Sequence, residues 1–182
     1  MAKLAKKGYA VCEGNILTSR IAGRIYSDFE LDSTAFASGV KAENGMILEV
    51  NPVEKTVVLP AANAGILGLH LSSEIEYHQH GLNSFAVARE TSDKEPNIST
   101  QYPRIFRLYV GDVFTTNAVE MDTVSSVDLD AVATTPVYGE PNANGYIKLT
   151  KTLPTGALVL RVVKKTTLPD GQVGIKFFVE KA

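Results

Sequence analysis

The C-terminal part of the chain alternates apolar and polar side chains with a period of two, and this pattern constrains the fold most. Two such runs, residues 157–165 and 172–180, flank the turn sequence Leu-Pro-Asp-Gly at 168–171. The proline fixes φ, and the glycine accepts positive φ. The segment therefore predicts an antiparallel β-hairpin, with Phe177 facing the core and Phe178 on the opposite face.

The same short period recurs upstream of the hairpin. Strand candidates are residues 46–50, 55–59, 65–71, 84–89 and 104–110. Asn51-Pro-Val-Glu54 has good turn chemistry between the first two candidates. No segment sustains a helical period, and Gly23 weakens a short helix around residues 19–26, so we expect that region to be extended or irregular. The pattern predicts a mostly-β fold with barrel-like or sandwich packing.

The N-terminal and C-terminal parts of the chain differ in how many apolar side chains they can contribute to a core. Small and polar residues dominate 27–45, so we expect residues 1–40 to form an extended N-terminal arm. A polar stretch with prolines at 90–103 predicts a linker or protruding loop. This organisation gives a β subdomain at 41–95 and a second β subdomain with the hairpin at 104–182, with one domain overall as the alternative.

Composition argues against several kinds of partner. The formal net charge of −2 provides no field to recruit nucleic acid or an anionic membrane. A single cysteine, Cys12, rules out an intrachain disulfide. The basic N-terminus is not followed by the apolar run of a signal peptide, and no run reaches the ~18–20 apolar residues of a transmembrane helix. We expect a soluble, non-secreted protein without nucleic acid or membrane partners.

The nearest approach to a metal site is His78-Gln79-His80, preceded by Glu74 and Glu76. In a strand both histidines and both glutamates would share a face, and two imidazoles with a carboxylate can hold a first-row metal. The spacing matches no fixed metal-binding motif, so a polar loop is the better interpretation. We expect no metal and no cofactor, with His78, His80 and Glu76 as the candidates if a metal binds.

Catalytic chemistry has little support in the sequence. Cys12 has no base beside it, although His70, His78 or His80 could approach it in space, and a lone cysteine in a strand is usually a small buried hydrophobe. No phosphate-binding glycine pattern occurs. The acidic residues that follow match no calcium-loop spacing: Asp112, Glu120, Asp122, Asp128 and Asp130. We expect no enzymatic activity.

Residues 44–59 read Asn-Gly-Met-Ile-Leu-Glu-Val-Asn-Pro-Val-Glu-Lys-Thr-Val-Val-Leu, and residues 65–69 read Gly-Ile-Leu-Gly-Leu. These two stretches resemble head decoration (cement) proteins of tailed bacteriophages, including the lambda type. In those proteins a flexible arm leads to a short strand, a turn, a strand carrying Lys-Val-Val and a Gly-Ile-Leu strand. Residues 109–117, Tyr-Val-Gly-Asp-Val-Phe-Thr-Thr-Asn, resemble the strand–Gly-Asp–strand turns of phage structural proteins. The resemblance covers residues 40–75 and 104–120, and the C-terminal hairpin extends this chain beyond the lambda type.

The resemblance implies a virion structural protein that is assembled in the host cytoplasm and clamps neighbouring major capsid subunits on the capsid surface. It implies a homo-oligomer, with a trimer favoured. A phage tail tube or head–tail connector subunit is one alternative, and a small β-barrel ligand- or metal-binding module is another. Among the aromatic side chains, we expect Phe178, Tyr102 and Phe114 to be the interface candidates.

Overall fold

Among the described residues, backbone hydrogen bonds join most strands into two six-stranded sheets. The structure, a computed structural model, describes residues 10–37, 40–61, 65–72, 86–88, 102–168 and 171–182. In this part of the chain the strands are β1 Cys12–Ile16, β2 Ile25–Tyr26, β3 Glu30–Leu31, β4 Lys41–Glu43, β5 Ile47–Asn51, β6 Thr56–Val58, β7 Ile66–His70, β8 Ala86–Ala88, β9 Ile105–Arg107, β10 Val113–Thr116, β11 Tyr138–Pro141, β12 Ile147–Thr150, β13 Val159–Thr167 and β14 Val173–Lys181. The helices there are α1 Thr18–Ala22 and α2 Met121–Val124.

The two sheets have different strand orders. Sheet I runs β1-β10-β14-β13-β11-β12, and every neighbouring pair in it is antiparallel. Sheet II runs β2-β9-β7-β5-β6-β3 and is antiparallel except for the β3–β6 pair. Strands β4 and β8 form a separate two-stranded ladder. The mostly-β prediction is confirmed, and the packing of the two sheets is consistent with the predicted barrel-like or sandwich arrangement.

The predicted C-terminal hairpin is present as β13 and β14, at the middle of sheet I. Gly171 has a φ of 82°, and its N–H donates to the Leu168 carbonyl at 2.9 Å, which closes the turn. The other two turn residues, Pro169 and Asp170, lie outside the described residues. Phe177 is fully buried whereas Phe178 is 36% exposed, so the predicted alternation of faces is confirmed.

The main core lies between sheets I and II. Sheet I contributes Phe114, Leu160 and Phe177, and sheet II contributes Leu69 and Phe106. The two sheets approach closely at Gly45, whose φ is +89°. A Cβ at this position would overlap the Thr116 side chain of β10, so the close approach requires glycine.

A second cluster of buried side chains covers the other face of sheet II. Phe29, Leu31 and Phe36, from the N-terminal segment, pack with Leu48 of β5 in this cluster. The expectation of an arm with little core is therefore wrong for residues 10–37. Phe29, Leu31 and Phe36 are buried because they cover a face of sheet II that would otherwise expose apolar surface.

The N-terminal segment also crosses between the sheets. β1 belongs to sheet I, and the chain then forms α1 and enters sheet II at β2. Gly23, with a φ of 65°, ends α1 in the left-handed conformation, so the helix is real but shorter than the 19–26 pattern. Because β9 lies in sheet II, sheet membership does not follow a division of the chain at residues 90–103.

Candidate interaction surface

A row of apolar side chains crosses the outer face of sheet I. The strand registers place Ile16 of β1 opposite Val113 of β10, and Val113 opposite Phe178 of β14. Partners in register project to the same face, so these three side chains lie side by side. Ile16 is 62% exposed and Phe178 is 36% exposed, while Val113 is half-buried between them. We call these three residues the outer row.

Charged side chains border the outer row. Arg161 of β13 continues the same row beyond Phe178 and forms an ion pair with Glu180 at 3.3 Å. Lys176 and Lys164 face each other on the row next to it. Both partners of the Arg161–Glu180 pair are partly exposed, so the pair adds little to stability. An apolar centre with a charged border is the usual layout of a protein–protein interface.

The outer row ends at β1, which is an edge strand of sheet I. Among the described residues, no strand pairs with the other side of β1, so part of its backbone N–H and C=O groups face outward. The register shifts between Gly14 and Ile16, which bends the strand at its end. The opposite edge, β12, is covered, because Ala118 O and Glu120 N–H bond to Ile147. β1 is therefore the open edge of this sheet.

Asp112 holds the end of the outer row in place. Its carboxylate is fully buried and accepts the Thr18 N–H at 2.8 Å and the Tyr109 N–H at 2.9 Å. Gly111, with a φ of +96°, turns the chain immediately before it. Because Thr18 starts α1 two residues after Ile16, this carboxylate fixes β1 and α1 against the turn that leads into β10.

We expect Asp112→Asn to lower the free energy of unfolding by about 2 kcal/mol, because one amide oxygen cannot replace both carboxylate acceptors. The amide NH₂ would also oppose a backbone N–H. Chemical denaturation measures the effect, and Asp128→Asn is the matched control because Asp128 is exposed and accepts one backbone N–H, from Asp130. Equal losses for both variants would contradict this role of Asp112.

The structure separates the three aromatic interface candidates. Phe178 lies in the outer row. Tyr102 is 50% exposed but precedes β9 of sheet II, so it belongs to a different part of the surface. Phe114 is fully buried, with its ring centroid 5.6 Å from that of Phe177, so the interface assignment of Phe114 is corrected to core. In β10 the odd-numbered neighbour, Val113, faces outward instead.

The proposed metal ligands His78, His80 and Glu76, with Glu74, lie outside the described residues. Within the described ranges, no three His, Cys, Asp or Glu side chains form a group that could hold a metal. Of the acidic residues named above, Asp112 accepts two backbone N–H groups, and Asp130 lies 3.6 Å from the Lys165 ammonium group.

His70 is buried in a polar network at the end of β7. Its Nδ1 lies 2.9 Å from the Glu43 carbonyl oxygen, and its Nε2 lies 2.8 Å from Ser72 Oγ. Because a carbonyl only accepts, Nδ1 carries the proton and Nε2 accepts from the Ser72 hydroxyl. Ser72 Oγ in turn accepts the Arg104 N–H at 3.0 Å. Burial lowers the pKa of His70 to about 4, although the bond to Glu43 opposes this shift.

Cys12 and His70 do not form a catalytic pair. Both ring nitrogens of His70 are engaged in sheet II, whereas Cys12 lies in β1 of sheet I. Burial raises the pKa of the Cys12 thiol well above its usual range, and the nearby Glu13 carboxylate adds to this. The thiol therefore stays protonated at neutral pH, as expected of a small packing residue.

One pocket lies between the two sheets, lined by Gly65, Leu67, Leu108, Leu158 and Ala182 among others, and it encloses about 70 Å³. Drug-sized ligands occupy pockets of roughly 300–1,000 Å³, so this one is too small for them.

In the described part of the chain, neither helix is long and apolar enough to cross a membrane. Comparisons with protein-family models, curated proteins and solved structures found no match to this chain.

Proposed function

We propose that this protein is a structural subunit that binds other protein subunits through the outer face of sheet I, and that it acts as a capsid decoration (cement) protein. The observation that carries the proposal is the outer row, an exposed apolar strip with a charged border that runs to an open strand edge. A sheet face of this kind offers apolar area and backbone hydrogen bonds to the same partner.

The affinity of such a subunit comes from the surface area buried at each contact, added over many contacts. A standard interface buries about 1,600 Å² in total, and many copies on one lattice add avidity to each contact. In such an arrangement Phe178 supplies the largest apolar contact, Ile16 extends it, and β1 pairs with an extended segment of the partner. A cement protein then resists the outward pressure of packaged DNA by binding alone, without a chemical step.

The outer row can be tested with Phe178→Thr, which removes the aromatic ring and introduces a β-branched residue that also suits a strand. We expect the wild-type protein to sediment as a homo-oligomer, with a trimer favoured, and the variant to shift towards monomer. Val53→Thr is the matched control, because Val53 is 91% exposed in the turn between β5 and β6, away from sheet I. Analytical ultracentrifugation over a concentration series measures both.

The capsid role needs a second measurement. Co-sedimentation with expanded heads, built from the major capsid protein encoded in the same genome, should capture wild type and Val53→Thr but not Phe178→Thr. A hexameric ring that does not bind the heads would favour the tail tube or connector alternative. If Phe178→Thr leaves head binding unchanged, the outer row is not part of the interface with the head.

A further inference from the structure

Three arginines lie over two aromatic rings near the edge of sheet II. The Cζ atoms of Arg24 and Arg107 lie 5.6 and 5.7 Å from the ring centroid of Tyr109. Arg24 Nη1 also donates to Tyr109 Oη at 2.9 Å. Arg20 lies over the Phe106 ring, with its Cζ 5.6 Å from the centroid. Two guanidinium groups therefore share the Tyr109 ring, and the third lies over the separate, buried Phe106 ring. We call these three arginines with Tyr109 the arginine surface.

The backbone fixes the positions of these side chains. β2 pairs with β9, and the Arg107 N–H donates to the Arg24 carbonyl at 3.4 Å. Gly23 ends α1, which places Arg20 on the helix and Arg24 immediately before β2. Guanidinium groups stacked on rings lose little further freedom when a ligand binds, so the surface is already arranged for binding.

The arginine surface carries more positive charge than its described neighbours neutralise. In the described ranges, no carboxylate lies within ion-pair distance of Arg20, Arg24 or Arg107; the ion pairs there involve other cations. The Asp112 carboxylate accepts the Tyr109 N–H, but it is buried and forms no ion pair within the described ranges. Repulsion between Arg24 and Arg107 across one ring would be relieved by a bound anion.

We propose that the arginine surface binds an acidic segment of a partner protein, in which Asp or Glu side chains pair with the guanidinium groups. Arginine forms bidentate hydrogen bonds with carboxylates, which gives such a contact direction.

A protein segment fits this surface better than a nucleic acid strand. The chain has a net charge of −2, so its overall field repels a polyanion, whereas a few carboxylates meet only the local arginines. The inference goes beyond the proposed capsid role because it uses α1 and sheet II, not the outer face of sheet I. Either proposal can fail while the other stands.

The test uses a short fluorescein-labelled peptide in which glutamate alternates with alanine and valine, followed by fluorescence anisotropy. We expect the full chain to bind this peptide but not its glutamine counterpart. The double variant Arg24→Gln, Arg107→Gln should raise Kd by about tenfold or more, since it removes two charge-assisted pairs at once. The control is Arg161→Gln, Lys164→Gln, which changes net charge equally on sheet I and should leave Kd within about twofold.

Thermal melts confirm that each variant is folded, and Arg24→Lys, Arg107→Lys serves as a milder second pair, which should weaken binding less than the glutamine pair does. Equal weakening by the Arg161 and Lys164 control would mean that only net charge matters, and would overturn the proposal. Equal affinity for the glutamine peptide would overturn it as well. A single-stranded oligonucleotide that displaces the peptide at lower concentration would show that the surface prefers nucleic acid to a protein segment.

Discussion

Phe177→Ala is expected to lower the free energy of unfolding by about 3–5 kcal/mol, the range seen when a fully buried phenylalanine is truncated. Phe177 has no exposed surface and lies at the centre of sheet I on β14, against the Phe114 ring. Gly139 of β11 lies close to the same ring, so removal of the ring leaves a cavity in the core between residues of β10 and β11. Urea denaturation followed by tyrosine fluorescence measures the loss.

The adjacent residue provides an unusually close control. Phe178 has the same side chain on the same strand but faces outward and is 36% exposed. Phe178→Ala should lower the free energy of unfolding by only about 1–2 kcal/mol, because the ring is partly exposed and its removal encloses no cavity. Similar losses for the two variants would mean that β14 is buried on both faces, and the outer row would then be core instead of an interaction surface.

The hairpin could be predicted because its signals are local. Its two strands adjoin in sequence, its turn has proline and glycine at the required positions, and alternation alone separates Phe177 from Phe178. The β5–β6 pair was predictable for the same reason: Asn51 Oδ1 accepts the Val53 and Glu54 N–H groups and so forms the expected turn.

The role of the N-terminal segment could not be predicted from its own composition. Leu31 and Phe36 bury because sheet II needs a second cover, and that need is encoded elsewhere in the chain. The sequence feature that indicates this second cover is the run Met46-Ile47-Leu48. All three side chains are buried, so the strand has core on both faces. A consecutive apolar run in an otherwise alternating sequence thus indicates a covering segment, but it does not say which one.

The outer row and the arginine surface also differ in how far they can be predicted from local sequence. The exposure of Phe178 follows from alternation, whereas Phe114 was misassigned because a four-residue strand with mixed neighbours does not reveal which face meets the core. The arginine surface joins residues that are about eighty positions apart in the chain, through the β2–β9 pairing. Only the tertiary structure brings Arg24 and Tyr109 together.

The stability of the protein is expected to fall by roughly 3 kcal/mol as the pH drops from 6.5 towards 4, through His70 alone. In the unfolded chain this imidazole takes up a proton near its ordinary pKa of 6.5, whereas in the folded protein burial lowers the pKa to about 4. Within that interval the unfolded state binds the proton more tightly, so added protons favour unfolding. Above pH 6.5 the contribution is fully present.

The measurement is the free energy of unfolding at several pH values for wild type and His70→Gln. The variant loses the buried hydrogen bonds to Glu43 and Ser72, so it starts less stable at pH 7, but it has no imidazole to protonate. The difference between the two proteins should therefore shrink by about 3 kcal/mol between pH 7 and pH 4. The subtraction removes the titration of carboxylates, which is common to both proteins.

The other two histidines provide the control for this experiment. His78→Gln, His80→Gln keeps His70 and should retain the wild-type loss of stability between pH 6.5 and 4. The charged groups around His70, namely Arg104 and the Glu43 carboxylate that accepts a 2.6 Å hydrogen bond from Tyr146, are the same in this control. A constant difference between wild type and His70→Gln across the interval would show that the folded protein accepts the proton on His70 as readily as the unfolded chain does.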